Sequence, residues 1–410
     1  MKYVIVIPDG AADFPLTDLD GRTPLEAANT PNMDWVALNG RQGRIVTVPE
    51  GFSAGTGVAT LSLLGYDPGL HYSGRAALEA AARGLTAETD QLIFRCNLVT
   101  IRDGRMEDFA GGHLSQPEAD RLIADLNDLL AGEGCAFHPG VSYRNLMMIA
   151  GARQMRITCQ APDEIPNQPV ADYLPRGAGA DRIRTIMRRA GEMLVEHPVN
   201  RQRIAAGQRP ATDIWLWGPG RPTILEPFAK RFGPSGVVIT AVDVMRGLAV
   251  CMGMRYVDVA GATAYLDTSY AAKGRAAVDA LAECDLVIVH IEAPDEAGHA
   301  GDAQAKIRAL ELIDQYIVAP LLQAVRPYDD WRFLIAPDHP TPVSTRVHSA
   351  APPPFCCAGC DIEAEAKRGF GESHAAAGGL LIDPGYTLME YFIRRRQVLP
   401  NPGPPRAATR

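Results

Sequence analysis

The sequence predicts an α/β protein in which helices flank a largely parallel central sheet, with a small α+β cap inserted into that core. Three observations lead there. Apolar runs too continuous for half-exposed strands alternate with amphipathic helical stretches, the pattern of a parallel sheet covered on both faces. Each run stops at Gly, Pro or Asp. Over residues 113 to 175 the texture changes to one amphipathic helix followed by short strand-like segments.

In chain order, "KYVIVIPDG" (2 to 10) reads as a first buried strand. A lysine ahead of an apolar run suggests a secretory leader, but the run is too short for one and leads into Asp9. "PEGFSAGTGVATLSLLGYDP" (49 to 68) is a Gly-rich turn carrying Ser53 and Thr56 ahead of a helical run. In the inserted stretch, "SQPEADRLIADLNDLLAGEG" is a helix with Ser115 as N-cap and Glu118 as its capping-box partner. "CAFHPGVSYRNLMMIAG" and "RQMRITCQAPD" then read as strands of a small antiparallel sheet, and "PDEIPNQP" (162 to 169) as the exit linker. Apolar positions at spacings of three and four predict helices over 182 to 197 and 302 to 325. "DIWLWGPG" (213 to 220), "GVVITAVD" (236 to 243), "CDLVIVHIEAPD" (284 to 295) and "WRFLIAPDH" (331 to 339) are the remaining core strands. The expected organisation is a core over 1 to 112 and 176 to 398, a cap over 113 to 175, and a Pro-rich disordered tail over 399 to 410.

Composition narrows the function classes. At 410 residues, 47% hydrophobic and 21% charged, the chain has ample material for a buried core. A net charge of −8 argues against a general nucleic-acid binder. No stretch approaches the ~18 apolar residues that span a bilayer, so no membrane partner is expected. Eight scattered cysteines without an export signal point to the cytoplasm, and "CCAGC" (356 to 360) lacks the second pair that a zinc ribbon needs. Nothing in the sequence specifies an oligomeric state.

Ligands in open α/β sheets sit beyond the carboxyl ends of the strands, and three strand ends here carry metal-ligand chemistry. Asp9 closes the first strand, Asp295 and His299 lie in "APDEAGHAGD", Asp338 and His339 close the last strand, and His348 follows on the same loop. Carboxylate plus imidazole suits zinc or manganese, and a helical turn would put Asp295 and His299 on one face. Taken singly, each Asp also reads as an N-cap for the next helix. Thr56 likewise reads either as a cap or as a hydroxyl placed where first-turn amides stabilise a phosphate.

"IPDG" (7 to 10), "GTGVATLSLLGYDP" (55 to 68), "YSGRAALEA" (72 to 80), "FRCN" (94 to 97), "APDEAGHAGD" (293 to 302) and "DHPTPVSTRVHSA" (338 to 350) resemble, in order, the archaeal-type cofactor-independent phosphoglycerate mutases of the alkaline-phosphatase superfamily. The resemblance implies an alkaline-phosphatase-like core and two divalent ions (Mn, Zn, Co or Mg), with no bisphosphoglycerate. It implies one ion on Asp295, His299 and His348, and the other on Asp9, Asp338, His339 and the nucleophile oxygen. The family's nucleophilic serine within "GSD" is matched by Gly55, Thr56 and Gly57, so the hydroxyl is kept and the carboxylate is not. The implied chemistry passes phosphate through Thr56 between positions 2 and 3 of a phosphoglycerate, under a cap that excludes water. The small anionic substrate calls for cationic side chains, guanidinium forks above all: Arg75 and Arg95 in the matching segments, then Arg176, Arg221 and the ammonium of Lys306. Two alternatives share the resemblance, a homoserine kinase-like phosphotransferase and a metal-dependent phosphatase or phosphodiesterase.

Overall fold

The computed structural model describes residues 1–365 and 367–394, so the expected tail over 399 to 410 lies outside the described residues. The chain divides into two compact units, one made of residues 1–72 with those from 224 onward, the other of residues 73–223.

The larger unit is built on an eight-stranded sheet. Its order is Arg255–Val257, Gly236–Ile239, Leu286–Ile291, Lys2–Pro8, Trp331–Ile335, Pro354–Gly359, Gly40–Ile45, Leu381–Ile382. Only Pro354–Gly359 runs against its neighbours, so the expected largely parallel sheet is present. The apolar runs are continuous because both faces are covered: Val4, Val6, Ile5 and Ile7 alternate across the sheet and all four are fully buried. On one face Val4, Val6, Val289 and Phe333 pack against Ala277, Leu281, Leu310, Ile313 and Leu321. Each such side chain contributes about 1.5–3 kcal/mol by leaving water.

The expected helix over 302 to 325 is continuous but not uniform. It runs Ala303–Ile313, opens into a π segment at Asp314–Val318 and continues as Ala319–Val325. Pro320 has no N–H to donate into the ladder, and the wider turn absorbs that defect. Asp314, in the widened turn, accepts from the Asn32 and Met33 amides at 3.3 and 2.7 Å and so caps the helix Pro31–Leu38 from outside.

The smaller unit carries a five-stranded antiparallel sheet with the order Arg105–Asp108, Leu92–Arg102, Arg144–Ile149, Cys135–Val141, and with Asp213–Gly220 also paired to Leu92–Arg102. The helices Gln116–Leu130 and Ala180–Val195 bury Leu122, Leu126, Ile183, Ile186 and Leu194 against Phe94, Leu98 and Leu216. The capping box forms as expected, with Glu118 accepting from the Ser115 amide at 2.8 Å.

The unit is wider than the cap expected over 113 to 175, for a physical reason. "DIWLWGPG" has the apolar texture of a core strand because helix Ala180–Val195 covers Ile214 and Leu216, yet it pairs antiparallel with Leu92–Arg102. Burial on both faces makes such a strand read like a member of the parallel sheet. Among the described residues all eight cysteines are free, and no helix is long and apolar enough to cross a membrane.

Candidate metal centre

The parallel pairing brings the chemistry together. Lys2–Pro8 lies between Leu286–Ile291 and Trp331–Ile335, with Pro8 opposite Ile291 and Val6 opposite Ile335. The residues that leave these three strands therefore emerge side by side. They include Asp9, Asp295 and Asp338, all buried. Gly10 turns the chain away with φ +60°, and a Cβ there would stand 2.4 Å from Asp295 Oδ1. Only glycine fits both the left-handed backbone and the contact.

Asp295 and His299 share one face of the helix Ala293–Ala300, with Oδ2 and Nε2 3.2 Å apart. His348 reaches the same carboxylate from its loop, Nε2 lying 3.3 Å from Oδ1. His299 and His348 each direct Nδ1 at a backbone carbonyl, of Arg346 at 2.9 Å and of Ala54 at 3.3 Å. That leaves both Nε2 atoms facing Asp295, 2.9 Å from each other. Two lone pairs so close need a positive charge between them. The Asp295 hydrogen bond lifts His299 to about 9, so the group draws positive charge toward the space between the two rings. Burial pushes the Asp295 carboxyl up, but His299 and His348 outweigh it and hold it well below the usual carboxylate range.

The second group is Asp9, Asp338 and His339. Asp338 Oδ1 accepts from the Gly10 and His339 amides at 3.2 and 2.9 Å, which fixes the carboxylate. Thr341 donates its hydroxyl to Asp295, so it can only accept from His339 Nδ1, at 3.3 Å. His339 Nε2 is thereby bare, fully buried and without a hydrogen bond, as is Asp9 Oδ1, 3.4 Å away. Burial, then the charges of Asp338, Glu292 and Asp295, raise the Asp9 carboxyl well above its ordinary range. Orphaned atoms, crowded carboxylates and bare imidazoles fit divalent cations. Thr56 completes the cluster as the first residue of the helix Thr56–Leu63, and its hydroxyl donates to Asp9 Oδ2 at 3.0 Å. One turn on, Thr60 donates to Asp338 Oδ2 at 3.4 Å. The seven residues expected at the metal site are thus brought together.

The expected anion ligands divide. Arg75 and Arg95 meet at Glu79 in the smaller unit, 3.0 and 3.1 Å from its two oxygens, and Arg95 also stacks over Trp217. Burial raises the Glu79 carboxyl, but Arg95 and Arg75 together bring it below its ordinary value. Arg176 is exposed and donates to the Asp172 carbonyl. Arg221 holds the carbonyls of Ala152, Arg153 and Met155. Lys306 is fully buried, and its ammonium is spent on Asp13 at 2.8 Å and the Ala12 and Thr341 carbonyls at 3.2 and 2.9 Å. All three of its donors are taken, so Lys306 fastens a loop and offers nothing to a substrate.

Sequence reasoning missed His290 and Glu292, which with Asp9 form a third close group. His290 Nε2 lies 2.8 Å from Asp9 Oδ2 and 3.7 Å from Glu292 Oε2, and burial pulls the ring down to about 4. The available signal was a histidine inside the otherwise apolar run "DLVIVHI".

Fold and cluster define a class: an α/β protein that gathers carboxylates, imidazoles and one hydroxyl beyond the carboxyl ends of adjacent parallel strands. The profile of the 2,3-bisphosphoglycerate-independent phosphoglycerate mutase family matches residues 37–200. A mutase of that description from Methanothrix thermoacetophila is 45% identical over 394 residues, covering 96% of this chain and 100% of the relative. A second, from Methanothermobacter thermautotrophicus, is 46% identical over 394 residues, with 96% and 97% covered. Among solved structures, a protein from Pyrococcus horikoshii superposes with a TM-score of 0.78 at 28% identity, covering 97% of this chain and 99% of its own. The cofactor-independent phosphoglycerate mutase of Thermoplasma acidophilum gives 0.66 at 25% identity, with 96% and 100% covered. The chain belongs to the 2,3-bisphosphoglycerate-independent phosphoglycerate mutase family.

Proposed function

We propose that the chain interconverts 2-phosphoglycerate and 3-phosphoglycerate through a phosphothreonine at Thr56. The observation that carries the proposal is the placement of the Thr56 hydroxyl at a helix N-terminus, 3.0 Å from Asp9 Oδ2 within the carboxylate and imidazole cluster. Asp295, His299 and His348 would hold one divalent ion, and Asp9, Asp338, His339 and Thr56 the other. Such ions, when bound, make the hydroxyl more acidic and neutralise the phosphoryl oxygens. The Thr56 oxygen attacks phosphorus in line, the bond from phosphorus to the glycerate oxygen breaks, and the departing oxygen gains the proton that Thr56 loses. The other hydroxyl of the same glycerate then attacks the phosphothreonine, which reverses both transfers and consumes no further reactant. First-turn amides of Thr56–Leu63 favour the phosphorylated side chain.

Arg75 and Arg95 are proposed as ligands of the anionic substrate. Both guanidiniums converge on one carboxylate, Glu79, which holds their planar forks side by side.

The test is to incubate metal-loaded protein with 3-phosphoglycerate and follow the 2-isomer, free phosphate and, with ATP and homoserine added, phosphohomoserine in parallel. The proposal expects the 2-isomer to dominate and label from the substrate to be trapped on Thr56. Phosphate release without the 2-isomer would establish a phosphatase instead, and phosphohomoserine a kinase.

A further inference from the structure

We propose that His290 is a positioning residue: donating from Nε2 and anchored at Nδ1 by Thr240, it holds Asp9 Oδ2 and so turns Oδ1 toward His339. The inference rests on the metal reading given above.

The hydrogen-bond pattern around the ring assigns its protons. His290 is fully buried, and its Nε2 lies 2.8 Å from Asp9 Oδ2, an atom that only accepts when the carboxylate is ionised. With Asp9 ionised, as it must be to hold a cation, Nε2 therefore carries the hydrogen. In the neutral ring Nδ1 is then an acceptor, and Thr240 Oγ1 faces it at 3.3 Å. The Thr240 hydroxyl already receives the Val242 amide at 3.1 Å, which leaves its own proton for Nδ1. The chain of donors runs from Thr240 to His290 to Asp9 and ends at the carboxylate.

The consequence lies in how the two oxygens of Asp9 differ. Oδ2 accepts from both His290 and Thr56, whereas Oδ1 is buried with no hydrogen bond and stands 3.4 Å from the bare Nε2 of His339. Without the His290 donor Oδ2 keeps only the Thr56 hydroxyl, and the pairing of Oδ1 with His339 is less well fixed. A ligand whose partner orients it in this way typically loses 10–100-fold in metal affinity, roughly, when that partner is removed. The same arrangement speaks against His290 as a ligand, since a nitrogen that carries a hydrogen has no lone pair to offer.

The experiment titrates metal-free full-length chain with Mn2+ alone and reads the two affinities separately. It pairs this with the nitrogen chemical shifts of His290 in histidine-labelled protein. His290→Leu should weaken one ion by about 10–100-fold and leave the ion on Asp295, His299 and His348 unchanged. His290→Gln, which keeps a donor near the Nε2 position, should restore most of that loss. Thr240→Val should weaken the same ion and spare the other. Equal affinities in the Leu and Gln variants, a parallel loss at both ions, a third ion bound by the parent, or an Nδ1–H tautomer would each overturn the inference. Should the Leu variant not fold, the Thr240→Val titration and the parent's tautomer decide the matter alone. Fewer than two ions bound by the parent would instead sink the metal reading, while the tautomer in the same sample still settles the assignment at His290.

Discussion

Replacing Gly10 with alanine tests how tightly the proposed metal centre is tied to the strand that feeds it. Gly10 has φ +60°, a conformation that costs an L-residue about 1–2 kcal/mol. Its new Cβ would stand 2.4 Å from Asp295 Oδ1, 2.6 Å from Thr341 Oγ1 and 2.7 Å from Asp295 Cα. The last of these is backbone and cannot swing aside. Overpacking of that kind adds about 1–3 kcal/mol, for a total of about 2–5 kcal/mol. Gly21→Ala is the control, because Gly21 has φ +77° with no atom within 4 Å of the added carbon. It should show the backbone cost of about 1–2 kcal/mol alone. Urea unfolding of both variants, with Mn2+ titration of each, separates the two contributions. Gly10→Ala should be the less stable by the overpacking cost and should weaken the ion on Asp295, with Gly21→Ala binding as the parent does. Equal losses of stability together with unchanged ion binding in both would refute the claim that the contact at Asp295 requires glycine.

Thr56→Ala should abolish phosphoenzyme while metal content stays near that of the parent, and Thr56→Ser should keep the phosphoenzyme; full turnover in the alanine variant would remove Thr56 as nucleophile. Lys306→Met leaves the Asp13 carboxylate buried without its partner and should cost about 3–5 kcal/mol in urea unfolding with KM unchanged. A raised KM at unchanged stability would return Lys306 to the substrate. Burial lifts the Glu372 carboxyl to about 7, above the unfolded value of about 4.3. Its contribution to stability is then fully present below about pH 4.3 and is lost as the pH rises through about 7. Glu372→Gln should flatten the dependence of Tm on pH over that interval, and an unchanged slope would place the effect elsewhere.

The parallel sheet was legible because its strands are buried on both faces, so "KYVIVI" and "DLVIVHI" show uninterrupted apolar texture. The extent of the smaller unit was not, since Asp213–Gly220 has that texture too and only its partner reveals that it pairs antiparallel with Leu92–Arg102. Pairing is a long-range property that local composition does not carry. The π segment at Asp314–Val318 was hidden for a related reason: Pro320 marks a defect in the helix, but a kink, a break and a widened turn all satisfy a missing donor.

At the site, legibility followed what each side chain is attached to. Asp9, Asp295 and Asp338 sit one to four residues beyond adjacent parallel strands, so strand order alone brings them together. Basic residues carry no such constraint, because a long cation on a helix or loop satisfies itself wherever an acceptor is near. Lys306 found Asp13 and two carbonyls, and Arg221 found three carbonyls; only the family resemblance of their segments, not their local chemistry, set Arg75 and Arg95 ahead of them. His290 was overlooked for the opposite reason. A histidine within a strand reads as filler until the strand's neighbour is known, and it is the parallel pairing of Ile7 with His290 that brings the ring within 2.8 Å of Asp9. The ligands of such a centre are thus written along the chain, whereas the groups that orient them are written across the sheet.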